Sequence, residues 1–110
     1  MKLLFLVLAL SLSVAVSAQT KSSNLSIPDS TKQIQNAEAS CGQCNFHLKG
    51  KGCNLAVRIN GKAYFVDGVD IDSFGDAHAK DGFCNAISKA EVQGKIVNNR
   101  FKATYFKLVK

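Results

Sequence analysis

Six side chains carry the chemistry open to this sequence: Cys41, Cys44, His47, Cys53, His78 and Cys84. Three of the cysteines and one histidine crowd into the stretch from Cys41 to Cys53. Such sulfur and imidazole donors suit zinc or copper, since soft ligands select soft or borderline metals. Cys41-Gly42-Gln43-Cys44 has the spacing of half a zinc site. A strong site supplies a second close pair, whereas Cys53 and Cys84 lie far apart in sequence. Met1 is the only methionine, which argues against methionine-based copper carriage.

The same cysteines can serve as two disulfides, for which three pairings exist. A bridge from Cys84 to Cys53 or Cys44 is favoured, because it would tie the first stretch to the middle of the chain. A thiol–disulfide role for Cys41 and Cys44 is a third use, since close cysteines can lower a thiol pKa. Redox motifs of this kind follow a strand and open a helix. Here the motif follows a polar leader, and no proline occurs after Pro28 to face a reactive disulfide. Covalent haem is excluded, because Asn45 stands where the attachment motif requires histidine.

Which use prevails depends on the compartment, and the first residues speak to that. Lys2 supplies a positive start, Leu3 to Val14 is an apolar run, and Val16-Ser17-Ala18 offers small residues for cleavage between Ala18 and Gln19. Residues 1–18 therefore predict a signal peptide, too short and too polar at its end for a permanent membrane anchor. The expected location is periplasmic or secreted. An oxidising compartment makes bridges the first reading of the cysteines.

Charge adds little. The formal net charge is +6 at pH 7. An exported chain of that balance has a solvated basic surface and no nucleic-acid partner. No specific partner or oligomeric state follows.

Asp67, Asp70, Asp72, Asp76 and Asp81 form an acidic run that begins like a calcium loop. Phe74 occupies a position that needs an oxygen ligand, and Asp81 replaces the closing glutamate. Turn formation and helix capping explain these aspartates with less machinery. No catalytic constellation emerges: Asp76 and His78 are two apart, which keeps them off a shared helix face.

The elements that must position the six side chains are β-strands. Residues 19–39 are polar, with sparse and unperiodic apolar residues, and read as a disordered leader. A domain over 40–110 remains. Leu55–Asn60 and Lys62–Val66 alternate in polarity around Asn60-Gly61, the strongest short hairpin signal. Ala90–Val97 and Arg100–Val109 form a second hairpin around Asn98-Asn99. Its return strand changes phase near Tyr105, which predicts a bulge. Between the hairpins a short helix is expected over Gly75–Lys80, capped by Asp72 or Ser73. The fold class is β-rich (all-β or α+β), two antiparallel hairpins joined by a short helix, in the manner of a small OB-like open barrel. A core this small usually needs a staple.

Four segments carry a resemblance: Cys41-Gly42-Gln43-Cys44, Gly50-Lys51-Gly52-Cys53-Asn54-Leu55-Ala56-Val57, Tyr64-Phe65-Val66-Asp67-Gly68, and the run from Gly75 to Ile87 that holds His78 and Cys84. Together they resemble a family of short, signal-bearing bacterial proteins known as a domain of unknown function. The resemblance implies an exported location and adds no activity. The expectation is thus an exported, disulfide-stapled binding or structural module, with a Cys/His site for zinc or copper as the alternative and Cys41/Cys44 redox chemistry as a third. No other cofactor is expected.

Overall fold

The structure, a computed structural model, describes residues 25–109. The expected signal segment and its cleavage point at Ala18 and Gln19 lie outside the described residues. Five strands form one closed barrel: β1 (Gln35–Cys41), β2 (Leu55–Ile59), β3 (Lys62–Asp67), β4 (Ser88–Val97) and β5 (Arg100–Val109), in the spatial order β1-β2-β3-β5-β4. A helical turn, α1 (Gly42–Asn45), follows β1, and a 3-10 turn over Ile71–Phe74 follows β3. Among the described residues, no helix is long and apolar enough to cross a membrane.

Both expected hairpins form. Asn60 and Gly61 take φ of 51° and 82°, and Asn98 and Asn99 take 52° and 62°. Positive φ at both turn positions gives the turn a twist that matches the flanking strands. The phase change in β5 is also present. Gln93 pairs with Tyr105 and the next residue, Gly94, with Ala103, so Thr104 is the extra residue of a bulge. Tyr105 and Phe106 are consecutive yet both buried, which only such a slip permits. Gly94 is required beside the bulge, because an added Cβ would run into the Lys102 carbonyl.

Three features depart from the expectation. First, β1 begins at Gln35, inside the segment assigned to the leader, and pairs with both β2 and β4. Its inward residues are Ala37 and Ala39, buried despite their size. Small side chains fit where barrel walls converge, and they leave little apolar signal in the sequence. Second, the barrel is closed. The parallel pairs Val66↔Phe101 and Asp67↔Lys102 join β3 to β5 and remove the open edges. Third, the short helix sits over Ile71–Phe74, and residues 75–87 form turns instead of the expected helix. This turn path requires glycine at Gly82, where an added Cβ would run into the Ala77 and Asp76 carbonyls.

The core gathers Val57, Val92, Phe101, Phe106, Leu55 and Phe83, with Cys41 among them. Burying one side chain of the size of Phe101 is worth roughly 1.5–3 kcal/mol. A short strap precedes β1 and lies along β4 and β5. The Phe106 N–H donates to the Leu25 carbonyl at 2.9 Å. Gln93, buried within β4, accepts the Asp29 N–H at 2.8 Å and donates to the Asp29 and Lys32 carbonyls at 2.9 Å each.

Candidate functional site

Three segments meet at one end of the barrel, and each brings cysteine. Cys41 closes β1, Cys44 lies on α1, Cys53 precedes β2, and Cys84 precedes β4. Their four Sγ atoms all lie within 4.8 Å of one another. Cys41 and Cys53 form a disulfide with their Cα atoms 5.5 Å apart. Cys44 and Cys84 are free thiols. The Cys84 Sγ lies 3.0 Å from the Cys53 Sγ, and the Cys44 Sγ lies 4.0 Å from it. Cys53 is therefore the central sulfur. Cys41 is fully buried, Cys53 and Cys84 are half-buried, and Cys44 is exposed. The bridge takes Cys53 away from Cys84, one of the two partners favoured from sequence, and leaves Cys84 and the other, Cys44, as thiols, because β1 and β2 lie side by side and bring Cys41 opposite Leu55, two residues from Cys53.

The gathering is built by two amides that flank Cys44. Gln43 grips the loop carrying Cys53. Its Oε1 accepts the Asn54 N–H at 2.9 Å, while its Nε2 donates to the Asn54 Oδ1 at 2.8 Å and to the Lys51 carbonyl at 3.4 Å. Asn45 grips the loop carrying Cys84. Its Nδ2 donates to the Ser40 Oγ at 2.7 Å and to the Phe83 carbonyl at 3.0 Å, and it reaches the Cys84 carbonyl at 3.4 Å. Ser40 is fully buried, and its Oγ lies 2.8 Å from both the Phe83 and Ala86 carbonyls. The Cys41 N–H also donates to the Phe83 carbonyl, at 3.0 Å.

The turn itself needs glycine. A Cβ at Gly42 would sit 2.7 Å from the Phe65 ring, and 3.0 Å from both Ala56 and Leu48. This close approach seats α1 on the barrel wall and lets the Cys44 N–H reach the Cys41 Sγ at 3.4 Å. Cys41-Gly42-Gln43-Cys44 thus does follow a strand and open a helical turn, the local setting that the polar leader had argued against.

Burial holds the Cys84 thiol above the ordinary thiol range, and Cys44, Asp72 and Asp76 add to the shift. Neither histidine belongs to it. His47, at φ 59°, and His78 are both exposed. The His78 N–H donates to Asp76 Oδ1 at 2.9 Å, a turn-forming contact. Nor do the aspartates from Asp67 to Asp81 converge as a ligand group among the described residues. Asp67 is paired with Arg100 at 2.8 Å, and Asp70 precedes the 3-10 turn without a side-chain capping bond.

Gln43, Asn45, Ser40 and Asn54 were not evident as site residues. Their only sequence signal is two amide side chains beside the same cysteine. The model of a family of unknown function, DUF6370, matches residues 35–109, which takes in all five strands and all four cysteines. No curated protein and no solved structure matches the chain.

Proposed function

Because the chain belongs to this family of unknown function, we propose its role from the site: a small exported barrel that binds one soft metal ion, zinc foremost, through the thiolates of Cys41, Cys44, Cys53 and Cys84. One observation carries this reading: four Sγ atoms from three separate segments lie within 4.8 Å of one another. A tetrahedral thiolate site with metal–sulfur distances near 2.3 Å spaces its sulfurs about 3.8 Å apart. Bridges that serve only as staples gain nothing by sharing one point. The amides of Gln43 and Asn45 give the ligand loops the outer support that metal sites commonly have. Export is part of the proposal and rests on the composition of residues 1–18.

The Cys41–Cys53 bridge favours a second reading, in which the sulfurs staple the barrel end. The two uses compete for the same atoms, so they belong to different oxidation states. Thiolate ligands require the reduced chain.

The test is titration of the reduced full chain with cobalt(II) under anaerobic conditions, followed by zinc. One cobalt per chain, with the sulfur charge-transfer and visible bands of a tetrahedral tetrathiolate, is the expected result. Displacement by an equal amount of zinc completes it. A reduced, folded chain that takes up neither ion at micromolar concentration overturns the metal reading and leaves the staple.

A further inference from the structure

The oxidised cluster has its own geometry. Cys53 is bonded to Cys41 while the Cys84 sulfur waits 3.0 Å from the same atom. That separation exceeds a disulfide bond of about 2.05 Å by roughly 1 Å. Cys44, the exposed thiol, lies beside the pair and belongs to the same turn as Cys41. Thiol–disulfide exchange needs a thiolate in reach of a bridge sulfur and a leaving sulfur that departs as a thiolate.

We infer that the cluster is a disulfide relay in which the bridge passes from Cys41–Cys53 to Cys53–Cys84 and frees Cys41 to join the free thiol Cys44 in reducing an external disulfide. In the first step the Cys84 thiol, 3.0 Å from the Cys53 Sγ, gives up its proton to solvent and attacks that sulfur. The Cys53–Cys84 bond forms, the Cys41–Cys53 bond breaks, and Cys41 leaves as a thiolate. No electrons are lost or gained overall. In the second step the exposed Cys44 thiolate attacks an external disulfide, forms a mixed disulfide and expels one thiolate. Cys41 then attacks the Cys44 sulfur, closes Cys41–Cys44 and expels the second thiolate. The external disulfide is the oxidant and gains two electrons, and the Cys41/Cys44 pair loses them. The substrate class is an accessible peptide or small-molecule disulfide, since the attacking Cys44 is the exposed thiol of the cluster. Run in reverse, the doubly bridged chain would oxidise a dithiol.

The fold supports the migration. Cys53 and Cys84 sit on loops that Gln43 and Asn45 hold against the same turn, so no strand need move for the new bond. Cys41, at the end of β1, stays within the cluster after it leaves. The relay concerns metal-free, oxidised chain, so it can fail while the metal site stands, and the reverse.

The final connectivity decides. Full chain isolated with the single Cys41–Cys53 bridge is treated, metal-free, with a small aromatic disulfide of the dithiobis-nitrobenzoate type, then acid-quenched, alkylated and mapped as tryptic peptides. Cleavage at Lys49 or Lys51 separates Cys44 from Cys53, and cleavage at Lys80 and Lys89 isolates Cys84. The relay predicts Cys41–Cys44 together with Cys53–Cys84. Any product that retains Cys41–Cys53, whether with Cys44–Cys84 or with both thiols capped, overturns it. Cys84→Ser supplies the second arm. Its expected product keeps Cys41–Cys53 and holds the reagent on Cys44 as a stable mixed disulfide. A Cys41–Cys44 bridge in that variant would show that Cys84 is not the attacking group, and the inference would fall.

Discussion

Gln43 and Asn54 grip each other twice: the Gln43 Oε1 accepts the Asn54 backbone N–H at 2.9 Å, and its Nε2 donates to the Asn54 side-chain oxygen at 2.8 Å. This two-point hold sets the loop that places Cys53 at the centre of the sulfur cluster. Gln43→Ala should therefore leave the barrel folded while weakening cobalt binding by roughly 10–100-fold, the usual cost of losing an outer-shell support. Competition with a chromogenic chelator measures it. Unchanged affinity would show that the loop holds its shape without the amide.

Asn45 does for Cys84 what Gln43 does for Cys53, but in a more enclosed place. Asn45→Ala removes the amide that ties α1 to the Ser40 hydroxyl and the Phe83 carbonyl, which keep their remaining bonds to each other, to Ala86 and to the Cys41 N–H. Stability should fall by about 0.5–1.5 kcal/mol, the net worth of a typical hydrogen bond. Asn45→Asp is the sharper probe. It keeps the shape but brings an acceptor to the Phe83 carbonyl, so it should be at least as damaging in urea unfolding.

Gly42→Ala tests the seating of α1. The added methyl meets a ring atom of Phe65 at 2.7 Å and Ala56 at 3.0 Å, on a barrel wall that cannot recede far. Overpacking of this kind costs about 1–3 kcal/mol. The thermal midpoint should drop, and the Cys44 thiol should react faster with alkylating reagents as the turn lifts.

Gln93→Leu should release the strap without opening the barrel. The variant loses the bonds to Asp29 and Lys32 but keeps an apolar group of similar size in a buried position. Limited proteolysis should cut residues 25–34 faster than in the parent, while far-ultraviolet circular dichroism stays unchanged. Equal cutting rates would mean that Leu25 and the backbone bond to Phe106 hold the strap alone.

Two ion pairs give the barrel a predictable response to acid. The hydrogen bonds from Arg58 hold the Glu38 carboxyl below the ordinary carboxylate range, and Arg100 does the same for Asp67. Glu38 is gripped by both the Arg58 Nε and Nη2, at 3.0 and 2.9 Å. A lowered native pKa means that the folded chain binds fewer protons than the unfolded one. The stabilisation is present above the unfolded carboxylate pKa near pH 4 and disappears as pH falls through the lowered native values. Both pairs are partly exposed, so added salt should shrink the effect. Glu38→Gln and Asp67→Asn should each flatten the stability profile below about pH 5. A profile as steep as the parent's would place the acid sensitivity elsewhere.

The two hairpins were legible because their turns carry local chemistry: Asn60-Gly61 and Asn98-Asn99 need nothing distant to adopt positive φ. The bulge was legible too, since Tyr105 and Phe106 break an alternation that the sequence displays. β1 was not. Its inward residues are alanines, and their burial depends on strands distant in sequence: Ala39 pairs with Val57 and Ala37 with Ala90. Barrel closure was equally hidden, because the β3–β5 seam rests on two residue pairs with no motif of their own. At the site, the four cysteines stood out by type, while their convergence followed from β1 pairing with β2 on one side and β4 on the other. The roles of Gln43 and Asn45 were out of reach, since their partners are mostly backbone carbonyls and N–H groups supplied by the fold.

The register of β1 against β4 has a temporal meaning. Cys84 follows Cys53 by 31 residues, and the strand it leads into lies beside β1, with Ser88 and Lys89 opposite Ala39 and Glu38. A chain growing from its N-terminus therefore displays Cys41, Cys44 and Cys53 before their fourth companion exists. In that interval the trio lacks a complete shell and is open to mispairing with neighbouring chains. Folding helpers that shield thiols would matter most in this window, and the last β-hairpin, once made, ends it by drawing the sulfurs together.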